Sequence, residues 1–162
     1  MTGTGRTLRV RELQPGDRAA LAFEFRRLGH QSRRQRFLGA KTQLTDAELD
    51  RLLDVDHWHH EALIAFSLRP RMPVGTSRYV RAERFDVAEI AIEVIDQCQR
   101  CGVGRTLAFA LRDHAVRAGI RLFTATTEAH NGGALSLARE LGATTITAAH
   151  GAHLELLIDL EQ

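Results

Sequence analysis

The chain reads as an α/β protein with one mixed sheet in a layered domain. Three observations carry that expectation. Short β-branched runs alternate with helical stretches of apolar 3.6-residue period. The middle of the chain holds three strand-like runs in succession, a meander. After it, strands and helices alternate, as crossover connections require. Length agrees: 162 residues suit a single domain over 1–162, and a chain of that size buries about 70% of its unfolded surface.

Thr7 to Glu12 alternates and forms the first strand. Gln14-Pro15-Gly16-Asp17 turns the chain, with Asp17 as an N-cap. Leu21, Ala22, Phe25 and Leu28 follow at helical spacing and Gly29 ends that helix. Ser32 to Phe37 adds a short helical segment. Thr45-x-x-Glu48 is a capping box opening a helix through Leu49, Leu52 and Leu53. Glu61 to Leu68 and Val74 to Arg81 are strands joined across Arg69-Pro70-Arg71-Met72-Pro73, and Val87 to Ile95 is the third strand of the meander. Gly104 to Ala118 is a helix with Val103, Leu107, Leu111, Ala115 and Ala118 on one stripe, closed by Gly119. Arg121 to Thr126 is a strand, Asn131 to Leu141 a helix closed by Gly142. Thr144 to Ala148 and Ala152 to Leu160 complete the order as strands.

Composition excludes several classes. With 44% hydrophobic and 26% charged residues the chain is a folded globular one rather than disordered. No apolar run reaches the ~18 residues of a membrane span, and the N-terminus has no secretory h-region. Two cysteines make no disulfide framework, so a reducing, cytoplasmic setting is expected. Net charge is +2, and Lys41 is the only lysine among 22 basic residues. The dense run Arg26, Arg27, Arg33, Arg34 and Arg36 lacks the aromatics or recognition helix of a nucleic-acid site, so a solvated helix face or part of a substrate-side wall is expected and nucleic acid is not.

The segment with chemistry in it is Ile95 to Arg105 (IDQCQRCGVGR). A strand enters a turn containing Gln99-x-x-Gly102-x-Gly104, and a helix starts there. Glycines let backbone approach a ligand, and the first N–H groups of the helix, with its dipole, favour an anion. The turn is suited to a phosphate or pyrophosphate, although an ordinary strand-to-helix turn can carry two glycines. It has neither the Lys-Ser/Thr of a Walker loop nor dinucleotide spacing. His57-Trp58-His59-His60 lacks a companion ligand at defined spacing and is read as a surface turn, without a metal. Cys98-x-x-Cys101 has no second pair and is read as two thiols.

The loop resembles the Q/R-x-x-G-x-G/A signature of the GNAT superfamily of acyl-CoA N-acetyltransferases. The likeness extends from Leu8–Glu12 through Ala88–Val94 to Asn131, Ala134, Leu137, Leu141 and Gly142. The stretches Ser32–Phe37, Leu44–Asp46 and Gly75–Val80 resemble a bacterial protein-lysine acetyltransferase branch. That resemblance implies a three-layer fold with six to seven mostly antiparallel strands and helices on both faces. It implies acetyl-CoA as co-substrate, no metal, and direct transfer to a primary amine, most simply a protein lysine, with a homodimer as an allowed assembly. Alternatives are a small-molecule amine acceptor or a silent acyl-CoA-binding regulator.

Carried over by position, backbone of Ile92 and Val94 would pair with pantetheine. Gln99 and the amides of Arg100, Cys101, Gly102, Val103 and Gly104 would face the pyrophosphate, with Arg105 adding charge and Asn131 contacting the cofactor. Glu89 would be the general base that neutralises the amine. Strict alternation puts Glu89 and Glu93 on one face, about 13 Å apart, unless a bulge intervenes. The tyrosine that often protonates the leaving thiolate in this family is replaced by Ala138, and Tyr79 lies on another strand.

Overall fold

The computed structural model describes residues 7–29 and 43–161. The short helix expected at Ser32–Phe37, and Arg33, Arg34 and Arg36, lie outside them. Seven strands form one sheet: β1 (Leu8–Glu12), β2 (His60–Leu68), β3 (Arg71–Arg81), β4 (Val87–Val94), β5 (Leu122–Glu128), β6 (Ala143–His150) and β7 (His153–Asp159). Their spatial order is β1-β2-β3-β4-β5-β7-β6. Every pairing is antiparallel except β4 with β5, which the crossover helix makes parallel. The four described helices are α1 (Arg18–Arg26), α2 (Asp46–Leu53), α3 (Val103–Arg117) and α4 (Gly132–Leu141).

Alternation along β2 sorts the two faces. Ala62 and Ile64 pack with Leu21 of α1 and Leu49 of α2. Leu63 and Ala65 join the larger core with Val103, Leu107, Leu111 and Ala115 of α3 and Ala138 and Leu141 of α4. Helices therefore cover both faces, and the expected α3 stripe is the buried one, with Ala118 at its C-cap.

Local chemistry sets the boundaries. Thr45 and Glu48 form both halves of the capping box that opens α2. Asp17 departs from its expected role. Its carboxylate accepts from Gln14 N at 2.7 Å and is held at both oxygens by Arg11, at 2.7 and 2.8 Å. It closes a 3-10 turn over Pro15–Asp17 and makes no side-chain cap on α1. Those Arg11 bonds hold Asp17 below the usual carboxylate range.

Gly75 marks the tightest contact between β3 and its neighbours. A Cβ there would fall 2.7 Å from the Glu93 carbonyl oxygen and 2.9 Å from Leu107 Cδ1. Gly75→Ala is expected to cost about 1–3 kcal/mol by overpacking, read as a lower urea midpoint at unchanged slope. An unaltered midpoint would show that α3 can shift to admit a methyl.

Candidate active site

The sheet opens in its middle. β4 and β5 pair only over Val87–Leu122, Ala88–Phe123 and Glu89–Thr124. Beyond Glu89, β4 stays with β3 as far as Gly75–Val94, while β5 stays with β7 to Glu128. The two parallel neighbours therefore part, and Glu89 stands at the vertex.

The backbone lining that gap follows from two hydrogen bonds. Ile95 N donates to Val74 O at 3.0 Å, and Ala82 N donates to Val87 O at 2.9 Å. Odd-numbered positions of β4 thus pair with β3, and alternation turns the amides and carbonyls of Ile90, Ile92 and Val94 towards the gap. The backbone of Ile92 and Val94 thus lines the gap. Gln99 Nε2 donates to Val94 O at 3.2 Å, so Gln99 fixes the end of the strand as well as belonging to the loop.

The loop takes two left-handed residues, Arg100 at φ +60° and Gly102 at φ +84°. Residues of alternating hand turn successive N–H groups inward and make an anion-binding concavity. Gly102 is the N-cap of α3, and its carbonyl accepts from Thr106 N at 3.0 Å and Thr106 Oγ1 at 2.9 Å. The N–H groups of Val103, Gly104 and Arg105 precede the first intrahelical bond and point out of the helix end with its positive dipole. Gly104 is less demanding than Gly102: a Cβ there meets only Val94 Cγ2, at 3.6 Å. Cys101 is an exposed thiol and Cys98 a buried one.

Two of the candidate side chains are engaged within the protein. Arg105 Nε lies 2.6 Å from Glu140 Oε2 and its guanidinium sits over Phe109. Its charge is shared with α4, while its backbone N–H stays at the helix end. Asn131 N-caps α4, its Oδ1 accepting from Ala134 N at 3.1 Å; the carboxamide nitrogen is the part left for a ligand.

On the α1 face, the β3–β4 register runs without a shift from Gly75–Val94 to Arg81–Ala88. No bulge separates Glu89 from Glu93, and both project to that face. Glu89 is exposed and Glu93 half-buried. Glu24 of α1 went unnoticed in the sequence. It is 1% exposed, and the Thr76 hydroxyl donates to its Oε1 at 3.2 Å. Burial, reinforced by the charge of Glu93, holds its carboxyl well above the usual range, against the pull of Thr76 and Arg78. The signal was a glutamate in the helical phase of Leu21, Phe25 and Leu28. Tyr79 is buried in the α3 core; burial and the nearby Glu61 raise its phenol, so it stands apart from the gap. Ala138 is buried in α4.

A sheet parted beside a strand–loop–helix anion cradle is the geometry of an enzyme that binds a pyrophosphate-linked extended cofactor. Residues 7–144 match the acetyltransferase (GNAT) domain family. Acetyltransferase PA5475 of Pseudomonas aeruginosa is 32% identical over 143 residues, covering 85% of this chain and 75% of that one. The GNAT domain of S. lividans PAT superposes with a TM-score of 0.85 at 24% identity, over 94% of this chain and 90% of that chain. YncA of Salmonella typhimurium, solved with acetyl-CoA, gives 0.74 at 20% identity over 94% of each chain. The chain belongs to the GNAT acetyltransferases, with acetyl-CoA as co-substrate and no metal needed for the reaction. Among the described residues, no helix is long and apolar enough to cross a membrane.

The residues present fit that co-substrate. The left-handed turn and the α3 N–H groups would hold its pyrophosphate, and the exposed edge of β4 its amides. Gly102→Glu is expected to weaken acetyl-CoA binding at least about tenfold, since a side chain at φ +84° costs about 1–2 kcal/mol and fills the cradle. Gly104→Ala should bind nearly as the parent does. Calorimetric titration separates the two, and equal affinity of Gly102→Glu and the parent would remove the loop from the site.

Glu24 yields a pH signature. The folded state keeps its proton at a pH where the unfolded chain has lost it. Stability from this group is full below the ordinary glutamate pKa and falls as pH rises through the folded value. Urea midpoints between pH 4 and 8 should therefore decline less in Glu24→Gln than in the parent. Parallel curves would mean that Glu24 is ionised in the folded protein.

Proposed function

We propose that this chain is a single-domain, cytoplasmic N-acetyltransferase that moves the acetyl group of acetyl-CoA directly to a primary amine, most simply the side chain of a protein lysine. Glu89 acts as the general base. The observation that carries this reading is the position of Glu89 at the vertex where β4 and β5 part, on the face away from α3. From Glu89 to Val94 is about 17 Å of strand, a length an extended pantetheine arm can span from the loop to the vertex.

In this scheme the loop amides of Arg100 to Gly104 and the α3 N–H groups hold the pyrophosphate. Ile92 and Val94 align the arm, and Gln99 and Asn131 fix the two sides of the gap. Glu89 takes the proton from the acceptor ammonium, directly or through water, so that the neutral nitrogen can attack the acetyl carbonyl. With Ala138 in place of a tyrosine and Tyr79 in the core, water supplies the proton to the departing thiolate. An exposed base suits an acceptor presented from outside, as a lysine on another protein is. A homodimer would leave that face open if it formed elsewhere.

Glu89→Gln preserves size and polarity but cannot take the proton. Acetyl-CoA affinity should survive while turnover falls roughly 10²–10⁴-fold at neutral pH, with partial recovery at high pH as the acceptor deprotonates unaided. A pH–rate profile at saturating acetyl-CoA, with a protein lysate and free polyamines as acceptors, measures both points. Unchanged turnover would move the base elsewhere, to Glu93 first, and transfer to free amines alone would favour a small-molecule acceptor.

A further inference from the structure

Away from the acetyl-CoA cradle, four ligand-type side chains from four segments meet under the C-terminal half of α3. Glu12 ends β1, Glu61 is the second residue of β2, His114 lies on α3, and His57 sits in the turn before β2. Oxygen and nitrogen atoms of Glu12, Glu61 and His114 lie within 4.8 Å of one another. His57 Nδ1 is 2.8 Å from Glu61 Oε1 and 3.8 Å from Glu12 Oε2. His114 Nδ1 is 3.4 Å from Glu61 Oε2 and 4.0 Å from Glu12 Oε1. We propose that Glu12, His57, Glu61 and His114 form a binding site for a divalent transition-metal ion of the zinc class, which staples β1 and β2 to α3.

Metal–ligand bonds of about 2.0–2.1 Å put adjacent ligand atoms about 3.4 Å apart in a tetrahedral site. Glu12, Glu61 and His114 already lie close enough to share one ion, and the His57 ring, 2.8 Å from the other oxygen of Glu61, is placed to swing in as the fourth ligand. Two imidazoles and two carboxylates suit zinc better than calcium or magnesium, which take oxygen ligands in larger number. A dication with neutral imidazoles balances the two carboxylates, and this matters because the Glu61 side chain is only 4% exposed. Glu12 and His57 are about half exposed, which leaves an entry path.

The turn that supplies His57 is held independently of any ion. His57 itself is left-handed, at φ +61°, a conformation uncommon for residues other than glycine. Asp56 Oδ1 accepts from the backbone N–H groups of Trp58, His59 and His60 at 2.9, 2.8 and 2.9 Å. Arg81 donates from Nε to Trp58 O at 2.7 Å and stacks over the Trp58 ring. Ala62 N donates to Glu61 Oε1 at 3.0 Å, orienting that carboxylate. The neighbouring imidazoles are engaged elsewhere: His59 Nδ1 with Asp56, and His60 with Asp54 O and Arg78. Only one histidine of the H-x-H-H run therefore reaches the cluster.

His114 is 12 residues from Gly102, about 18 Å along the helix, so the ion would act on the anchoring of α3 rather than on acyl transfer. The test uses the whole chain, stripped with a chelator and titrated with Zn²⁺ against a chromophoric competitor. One equivalent should bind, Co²⁺ should give the visible absorption of a tetrahedral site, and the unfolding temperature should rise by roughly 5 °C or more at 100-fold excess over Kd. His57→Ala and His114→Ala should each weaken binding at least about tenfold, whereas His59→Ala should not. Acetyl-CoA affinity of the stripped protein should stay within about twofold of the loaded protein's. Absence of a saturable equivalent, or equal binding by the His57, His114 and His59 variants, would overturn the site and leave a hydrogen-bonded carboxylate–imidazole network only.

Discussion

The parting of β4 from β5 is the constraint on which the rest of the site depends. Each strand has a stronger commitment on its other side: β4 keeps seven residue pairs with β3, and β5 seven with β7. Only three pairs hold the two together, enough to fix their relative position without closing the sheet. Right-handed twist accumulating across strands then separates their ends. A cofactor arm can satisfy backbone groups that would otherwise be exposed along Ile90 to Val94, so opening the sheet costs little once acetyl-CoA is bound. The insertion of β7 between β5 and β6 serves the same end, because it fastens β5 along its full length.

At the wide end of that gap, backbone geometry supplies what side chains do not. Arg100 and Gly102 are both left-handed, and the helix dipole of α3 adds to the converging N–H groups. The Arg105 guanidinium is already engaged by Glu140, so the anion-binding capacity of the loop resides in amides whose position the fold fixes. Arg100 adopts positive φ without being a glycine, a modest strain that the surrounding turn holds in place.

Much of this was legible in the sequence. Strand and helix order came through because hydrophobic period changes cleanly at each boundary, and the loop announced itself through glycines at a strand-to-helix junction. What stayed hidden were contacts between distant positions. Asp17 read as a helix cap, since nothing local shows that Arg11 would claim both its oxygens. Glu24 looked like any helical glutamate until α1 was laid on β3. His57, His59 and His60 were indistinguishable by spacing, yet they face three different sets of partners, and Glu12, Glu61 and His114 are separated by some 50 residues each.

The carboxylates on the α1 face show why burial, not proximity in sequence, decides which can serve as base. Glu24 is fully enclosed, with Oε2 lacking a hydrogen-bond partner among the described residues. A group whose burial favours the neutral acid is a poor proton acceptor at neutral pH. Glu93 is half-buried, and its charge adds to the burial that keeps Glu24 neutral. Glu89 is exposed. As the proposed base it stands outside the core, at the vertex where β4 and β5 part. Glu24, held as the neutral acid, and the half-buried Glu93 then shape the wall behind it, and the exposed Glu89 is the carboxylate proposed for the proton transfer.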